Sequence, residues 1–216
     1  MPLPTAPKIF GVGFQKTGTS SLNEALAMLG YTATGGLRLN HPKGVFIAPP
    51  LTNGKIMDVA RARVAQADAH TDNPWPLLYR ELDTEYPGSK FILTVRDIDR
   101  WSHSMVRHFA DTPSDVMQWI YGVPYAKGNE TRCREVYAAH NEAVRNYFAG
   151  RADFLEIDLE RGASWKELCA FLGRPVPTQP FPHSNRAEDR ERKARSPLRR
   201  LKTALKAIFA ASSATR

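Results

Sequence analysis

At 216 residues, with 42% hydrophobic and 24% charged side chains, the chain is long enough for one domain with a full core and short for two. No apolar run approaches the ~18 residues that cross a bilayer, so a soluble globular protein is expected. The formal charge of +8 is unevenly spread: residues 186–216 hold ten Lys and Arg against three Asp and Glu, leaving 20 against 19 elsewhere, which argues against a folded body built to grip nucleic acid.

The first residues, Met1 to Pro7, carry three prolines and no charged-then-apolar pattern, so no secretion signal is expected. Lys8 to Phe14 is a short β-forming run suited to a buried strand. After a glycine-bearing loop, Leu22, Ala25, Leu26 and Leu29 recur at helical spacing; Thr19 or Ser20 would cap that helix and Gly30 would end it. Residues 32–53, rich in Gly and Pro, read as irregular. Ile56 to Gln66 reads as a helix, Ala67 to Thr71 as a short strand, and Pro74 to Tyr86 as a helix closed by Pro87-Gly88. Phe91 to Val95 is the clearest buried strand. Helices follow at Asp99 to Phe109, Pro113 to Tyr121 and Glu130 to Phe148. Phe154 to Leu159 is a last strand, and Trp165 to Leu172 a last core helix before Gly173. Alternating strands and helices predict an α/β fold with a central parallel sheet flanked by helices. Residues 1–190 form one domain on this reading. Residues 191–216 form a basic tail in which Leu198, Leu201, Leu205 and Ile208 share one helical face. That helix packs on the domain or lies exposed; weak contact with a membrane surface is the second reading. Cys133 and Cys169 fit no metal spacing, and a reduced cytoplasmic setting follows as the default.

The loop after the first strand carries the chemistry. It runs Gly11-Val-Gly-Phe-Gln15-Lys16-Thr17-Gly18-Thr19-Ser20-Ser21. A strand–loop–helix junction aims backbone N–H groups and the positive end of the helix dipole at one point, which suits phosphate or sulfate. Gly18 permits close approach, and Thr17, Thr19 and Ser20 offer hydroxyls. The triphosphatase loop G-x-x-x-x-G-K-[ST] places its lysine directly after the glycine. Here Lys16 sits two positions before Gly18, and Thr19 stands where that lysine would be. The dinucleotide signature G-x-G-x-x-G is also unmet, because position 16 is lysine.

Lys16-Thr-Gly-Thr-Ser-Ser-Leu22 resembles the 5′-phosphosulfate loop of the P-loop sulfotransferase superfamily, whose typical form is Lys-[Ser/Thr]-Gly-Thr-[Ser/Thr]. Arg96 closes the Phe91 to Val95 strand and Ser104 follows eight residues on, a spacing similar to the family's 3′-phosphate pair. Further blocks at 68–75, 86–96, Trp101, 140–144, 168–173 and 180–185 look like one branch of that superfamily, so the resemblance covers residues 8–190. It implies a P-loop NTPase-like sulfotransferase fold. It also implies transfer from 3′-phosphoadenosine 5′-phosphosulfate (PAPS), leaving adenosine 3′,5′-bisphosphate, to a hydroxyl or amine of a small-molecule, lipid or glycan acceptor, with no metal required. Gln15 to Ser21, Arg96 and Ser104 would hold the donor, joined by Arg186, Arg190 and Lys193 from a late basic segment. Many cytosolic members place a Trp shortly after the loop; this chain has Leu22.

The family's base is a His, Glu or Asp, often just after the second strand. In Asp68-Ala-His70-Thr-Asp72-Asn-Pro74-Trp the first choice is Asp72, which follows the strand and precedes the turn; His70 is second, with a better-matched ordinary pKa. On a continuous strand 68, 70 and 72 would share one face. The competing reading makes Asp72 a helix cap and His70 a core residue. His140 and Tyr137 would line the acceptor side or pack their helix, and the four tryptophans are core or interface residues by default. The competing functions are a P-loop kinase-like enzyme, with Asp97 as its metal-binding acid, and a non-catalytic nucleotide-binding protein on the same fold.

Overall fold

The computed structural model describes residues 7–161 and 165–183. Five strands, β1 (Ile9–Gly11), β2 (Ala33–Thr34), β3 (Ala69–His70), β4 (Lys90–Val95) and β5 (Phe154–Asp158), form one sheet in the order β2-β3-β1-β4-β5. Every pairing is parallel. The helices are α1 (Thr19–Met28), α2 (Asn53–Val64), α3 (Tyr79–Glu85, entered through a 3₁₀ turn at Trp75–Leu78), α4 (Ile98–Phe109), α5 (Asp115–Tyr121), α6 (Glu130–Tyr147) and α7 (Trp165–Leu172).

Strand alternation splits the core into two layers. Ile9 and Ile92 face α1 and α7, where Leu22, Leu26, Trp165 and Leu168 meet them. Phe10, Phe91 and Leu93 face the other way, toward Ile56 and Ala60 of α2, Leu82 of α3, and Val144 and Phe148 of α6 and its end. A third cluster gathers Phe14, Trp101 and Met105 of α4, Met117 and Tyr121 of α5, and Tyr137 of α6. It closes over the residues just after β1. The four tryptophans all join these clusters, as expected of core aromatics.

The sequence reading holds for each long element to within a few residues. Two corrections concern the short ones. Residues 32–53 are not wholly irregular, because Ala33–Thr34 pair with β3. The helix expected from Pro74 begins as a 3₁₀ turn with Pro76 near its start. Among the described residues no helix is long and apolar enough to cross a membrane. The tail helix lies outside the described residues.

The strand order fixes where a ligand belongs. From β1 the chain leaves through α1 to β2 and β3 on one side, then crosses back to β4 and β5 on the other. The crevice beyond the C-terminal ends of such strands opens at this reversal. The loop after β1 therefore has the residues following β3 on one flank and those following β4 on the other.

Candidate functional site

Lys16 (φ 71°) and Gly18 (φ 100°) are both left-handed, which turns the loop sharply into α1. Gly18 is the N-cap and has no side chain with which to cap the helix; the cap expected from Thr19 or Ser20 is not formed. A helix start without such a cap leaves its donors to an anion. A Cβ on Gly13 would come within 2.2 Å of Thr94 Oγ1, and one on Gly18 within 2.6 Å of Leu159 Cδ1. The loop is thus pressed against β4 and the residues after β5.

The loop's hydroxyls divide. Thr17 Oγ1 donates to the Phe14 carbonyl or shares its proton with Thr94 Oγ1, both at 2.6 Å. It is a structural tie, not the outward donor expected from sequence. Thr19 and Ser21 are buried, and Ser20 is exposed at the mouth of the loop. Gln15, grouped with the ligand donors on sequence, turns inward instead. Its Nε2 donates to Tyr121 Oη at 2.7 Å, its Oε1 accepts from Asn73 Nδ2 at 2.9 Å, and its carbonyl accepts from Trp101 Nε1 at 3.0 Å.

On the β4 flank, Arg96 Nη1 donates to the Lys16 carbonyl at 3.1 Å, and Nη2 pairs with Glu160. Arg96 Nε is buried with no partner. Tyr137 Oη accepts the Arg96 N–H and donates to the Arg96 carbonyl, each at 2.9 Å, and its ring stacks on Trp101 at 4.2 Å. The strand end is held rigidly while the guanidinium reaches the loop. Ser104 lies half-buried in the second turn of α4. Asp97 caps α4 by accepting from the Asp99 and Arg100 N–H groups, so its carboxylate is engaged as a cap.

On the β3 flank, the shared face of 68, 70 and 72 does not form. The strand ends at His70, and Asp72 is left-handed at φ 70°. His70 is fully buried: it stacks on Phe10, packs on Trp75 and bonds Thr34 Oγ1 through Nδ1 at 3.0 Å. Burial lowers its pKa to about 4. His70 belongs to the core and is not brought to the crevice. Asp72 turns to the loop instead. Its Oδ1 accepts the Asn73 N–H at 2.9 Å; burial raises its pKa, and that hydrogen bond and, after it, the Lys16 charge partly offset the rise. The turn that follows takes no cap from its side chain, since Trp75 N–H bonds the Asp72 backbone carbonyl. His140 is likewise a packing residue, with Nε2 against the Val12 carbonyl at 2.8 Å and its ring 4.1 Å from Phe14. Tyr137 is buried beside it.

The structure thus brings Lys16, Arg96 and Asp72 to the loop after β1, while Ser104 stands on α4 with no contact that ties it to Arg96 among the described residues. Arg186, Arg190 and Lys193 lie outside the described residues. Sequence reasoning missed Glu160, although an acid directly after the last parallel strand points to the same crevice. It also missed Asn73 and Tyr121, whose partner Gln15 lies far away in the chain.

Comparison with known proteins gives the family. A family model described as a sulfotransferase domain matches residues 8–127 and 106–190. The chain is also 28% identical over 215 residues to the Ava biosynthesis cluster protein M of Aspergillus versicolor, covering 82% of this chain and 80% of that protein. With an all-parallel α/β sheet and a sulfotransferase-domain family model matching most of its length, the chain belongs to the sulfotransferase family.

Proposed function

We propose that the protein transfers the sulfuryl group of PAPS to a hydroxyl or amine, with Asp72 as general base. The observation that carries this reading is the convergence of three groups at one strand reversal: Lys16 in the loop, Arg96 beside it and the desolvated Asp72 opposite. The donor supplies an activated sulfuryl group on a phosphosulfate anhydride. The loop fits such a group, because it turns through left-handed Lys16 and Gly18 into the start of α1, and Arg96 Nε beside it lies buried without a partner among the described residues.

Sulfuryl transfer, like phosphoryl transfer, is mostly positioning and charge stabilisation. The N–H groups at the start of α1 would hold the 5′-phosphate. Lys16 would neutralise charge growing on the oxygen that leaves sulfur. Arg96 and Ser104 would take the 3′-phosphate. Asp72 would accept the acceptor's proton as its oxygen or nitrogen bonds to sulfur. A carboxylate with a raised pKa is a stronger base than an ordinary aspartate while remaining ionisable. The two cysteines are free and buried, which suits a reducing compartment, and we place the reaction in the cytoplasm.

A thermal-shift series tests this directly. Adenosine 3′,5′-bisphosphate should stabilise the protein without Mg²⁺. Stabilisation by ATP with Mg²⁺ alone would replace this reading with a kinase-like one. Transfer of radiolabelled sulfate from the donor into a cell extract, with identification of the product, would then name the acceptor class.

A further inference from the structure

The two halves of the site sit on different segments, and a pair of side chains adjoining Lys16 and Asp72 joins them, beside a second bond from Asn23 Nδ2 to Thr71 Oγ1 at 3.2 Å. Gln15 precedes Lys16; Asn73 follows Asp72. Asn73 Nδ2 donates to Gln15 Oε1 at 2.9 Å. Lys16 and Asp72 are both left-handed, so neither lies in a regular element that would fix its direction.

Each end of the link is anchored. Gln15 is 5% exposed and is held on three further sides: by Tyr121 Oη at 2.7 Å, by Met105 Sδ at 3.6 Å, and through its carbonyl by Trp101. Asn73 is held through its carbonyl, which accepts the Leu37 N–H at 3.0 Å, and Gly36 packs so tightly there that a Cβ would meet that carbonyl at 2.3 Å. Asn73 Oδ1, by contrast, is buried with no partner among the described residues. A buried polar atom left unpaired is costly. An asparagine tolerated on those terms is oriented by its amide N–H, which is the half that reaches Gln15.

We infer that Gln15 and Asn73 are positioning residues: their bond brackets the crevice and sets the separation between Lys16 on the donor side and Asp72 on the acceptor side. The inference rests on the sulfotransferase reading. Neither residue touches the reacting atoms. Their effect is to hold base and cation in one geometry, where a small misplacement is expensive in rate.

The test reads the coupling between the two charged groups. The Asp72 carboxyl is titrated by ¹³C NMR with and without Lys16→Met, in the wild-type, Gln15→Ala and Asn73→Ala backgrounds. The groups whose charge reaches Asp72 are Lys16 and, through its phenol, Tyr121. In the wild type, removing the Lys16 charge should raise the Asp72 midpoint. In either bracket variant that increment should fall below about half. Asn73→Ser serves should Asn73→Ala fail to fold. A purely structural role would lower the melting temperature and leave the increment unchanged; equal increments in all backgrounds would overturn the inference. Binding of adenosine 3′,5′-bisphosphate to the wild type is measured beside it. Failure to bind would overturn the sulfotransferase reading, and the positioning role with it, whereas binding with equal increments removes the bracket alone.

Discussion

The two flanks of the β1 loop are built on opposite principles. The β4 flank is charged and reachable by water: Arg96 is shared between a loop carbonyl and Glu160, and Arg100 stands 3.6 Å from the same carboxylate. The β3 flank holds a single carboxylate, among Asn73, Gln15, Tyr121 and buried aromatics. A flank of exchangeable ion pairs suits a charged ligand that arrives and leaves. A flank that half-buries one acid suits a proton acceptor, since desolvation raises its basicity. The neighbouring His70 sharpens the contrast: the same burial that makes Asp72 a better base makes an imidazole a worse one, because the imidazole is charged only after it takes the proton.

Substitutions that break this contrast should have graded effects. Lys16→Met, which removes the cation between the flanks, should lower sulfate transfer into extract by about 10³-fold. Asp72→Asn should lower it by about 10²-fold and, at neutral pH, raise the melting temperature. The sign follows from the raised folded pKa. The cost of ionising Asp72 is present in full above that value, shrinks as pH falls from it toward the ordinary carboxylate range, and is gone below that range. The stability gain from Asp72→Asn should therefore vanish in acid, while the activity of the parent should fall as pH drops through the raised value.

The third prediction concerns two buried histidines. His70 and His140 are both buried with pKa lowered to about 4. A depressed folded value means that the unfolded chain takes up protons first, below the ordinary value of 6.5. Stability should then fall with pH by about 2 kcal/mol for each histidine between about pH 7 and about pH 5. Urea denaturation at the two pH values measures the drop, and His140→Gln should remove part of it. The smallest effect belongs to the charged side. Glu160→Gln frees Arg96 for an incoming phosphate and should tighten binding of adenosine 3′,5′-bisphosphate about threefold, read by calorimetry. Weaker binding would mean that Glu160 orients Arg96 for the ligand.

What the sequence displays and what it hides follow the same division. The β4 segment, residues 90–95, is a run of buried β formers ending at an arginine, and the loop glycines and lysine form a local pattern; each is visible without knowledge of the fold. β2 is hidden because two residues amid Gly and Pro carry no periodicity, and they become a strand only by pairing with β3. Thr17 looks like a ligand donor in any linear reading. It turns inward because Thr94, far along the chain, offers a closer partner. The fate of His70 and Asp72 turned on where the strand stops. Two residues of strand and a left-handed Asp72 undo the alternation that would have put both on one face. Gln15 and Asn73 are single polar residues beside stronger motifs, and only the tertiary structure makes them a pair.

Thr94 deserves a last consequence. Its hydroxyl meets Thr17 from one side, while its backbone and hydroxyl leave Gly13 no room for a Cβ on the other. Positions 13, 17 and 94 are therefore one unit for anyone wishing to redesign this enzyme. A larger residue at 13 calls for a smaller one at 94, which in turn strands the Thr17 hydroxyl. Single changes there should each look damaging, and their combinations should depart from additivity. Libraries that vary these three positions together can reach loop shapes that stepwise mutation would never sample.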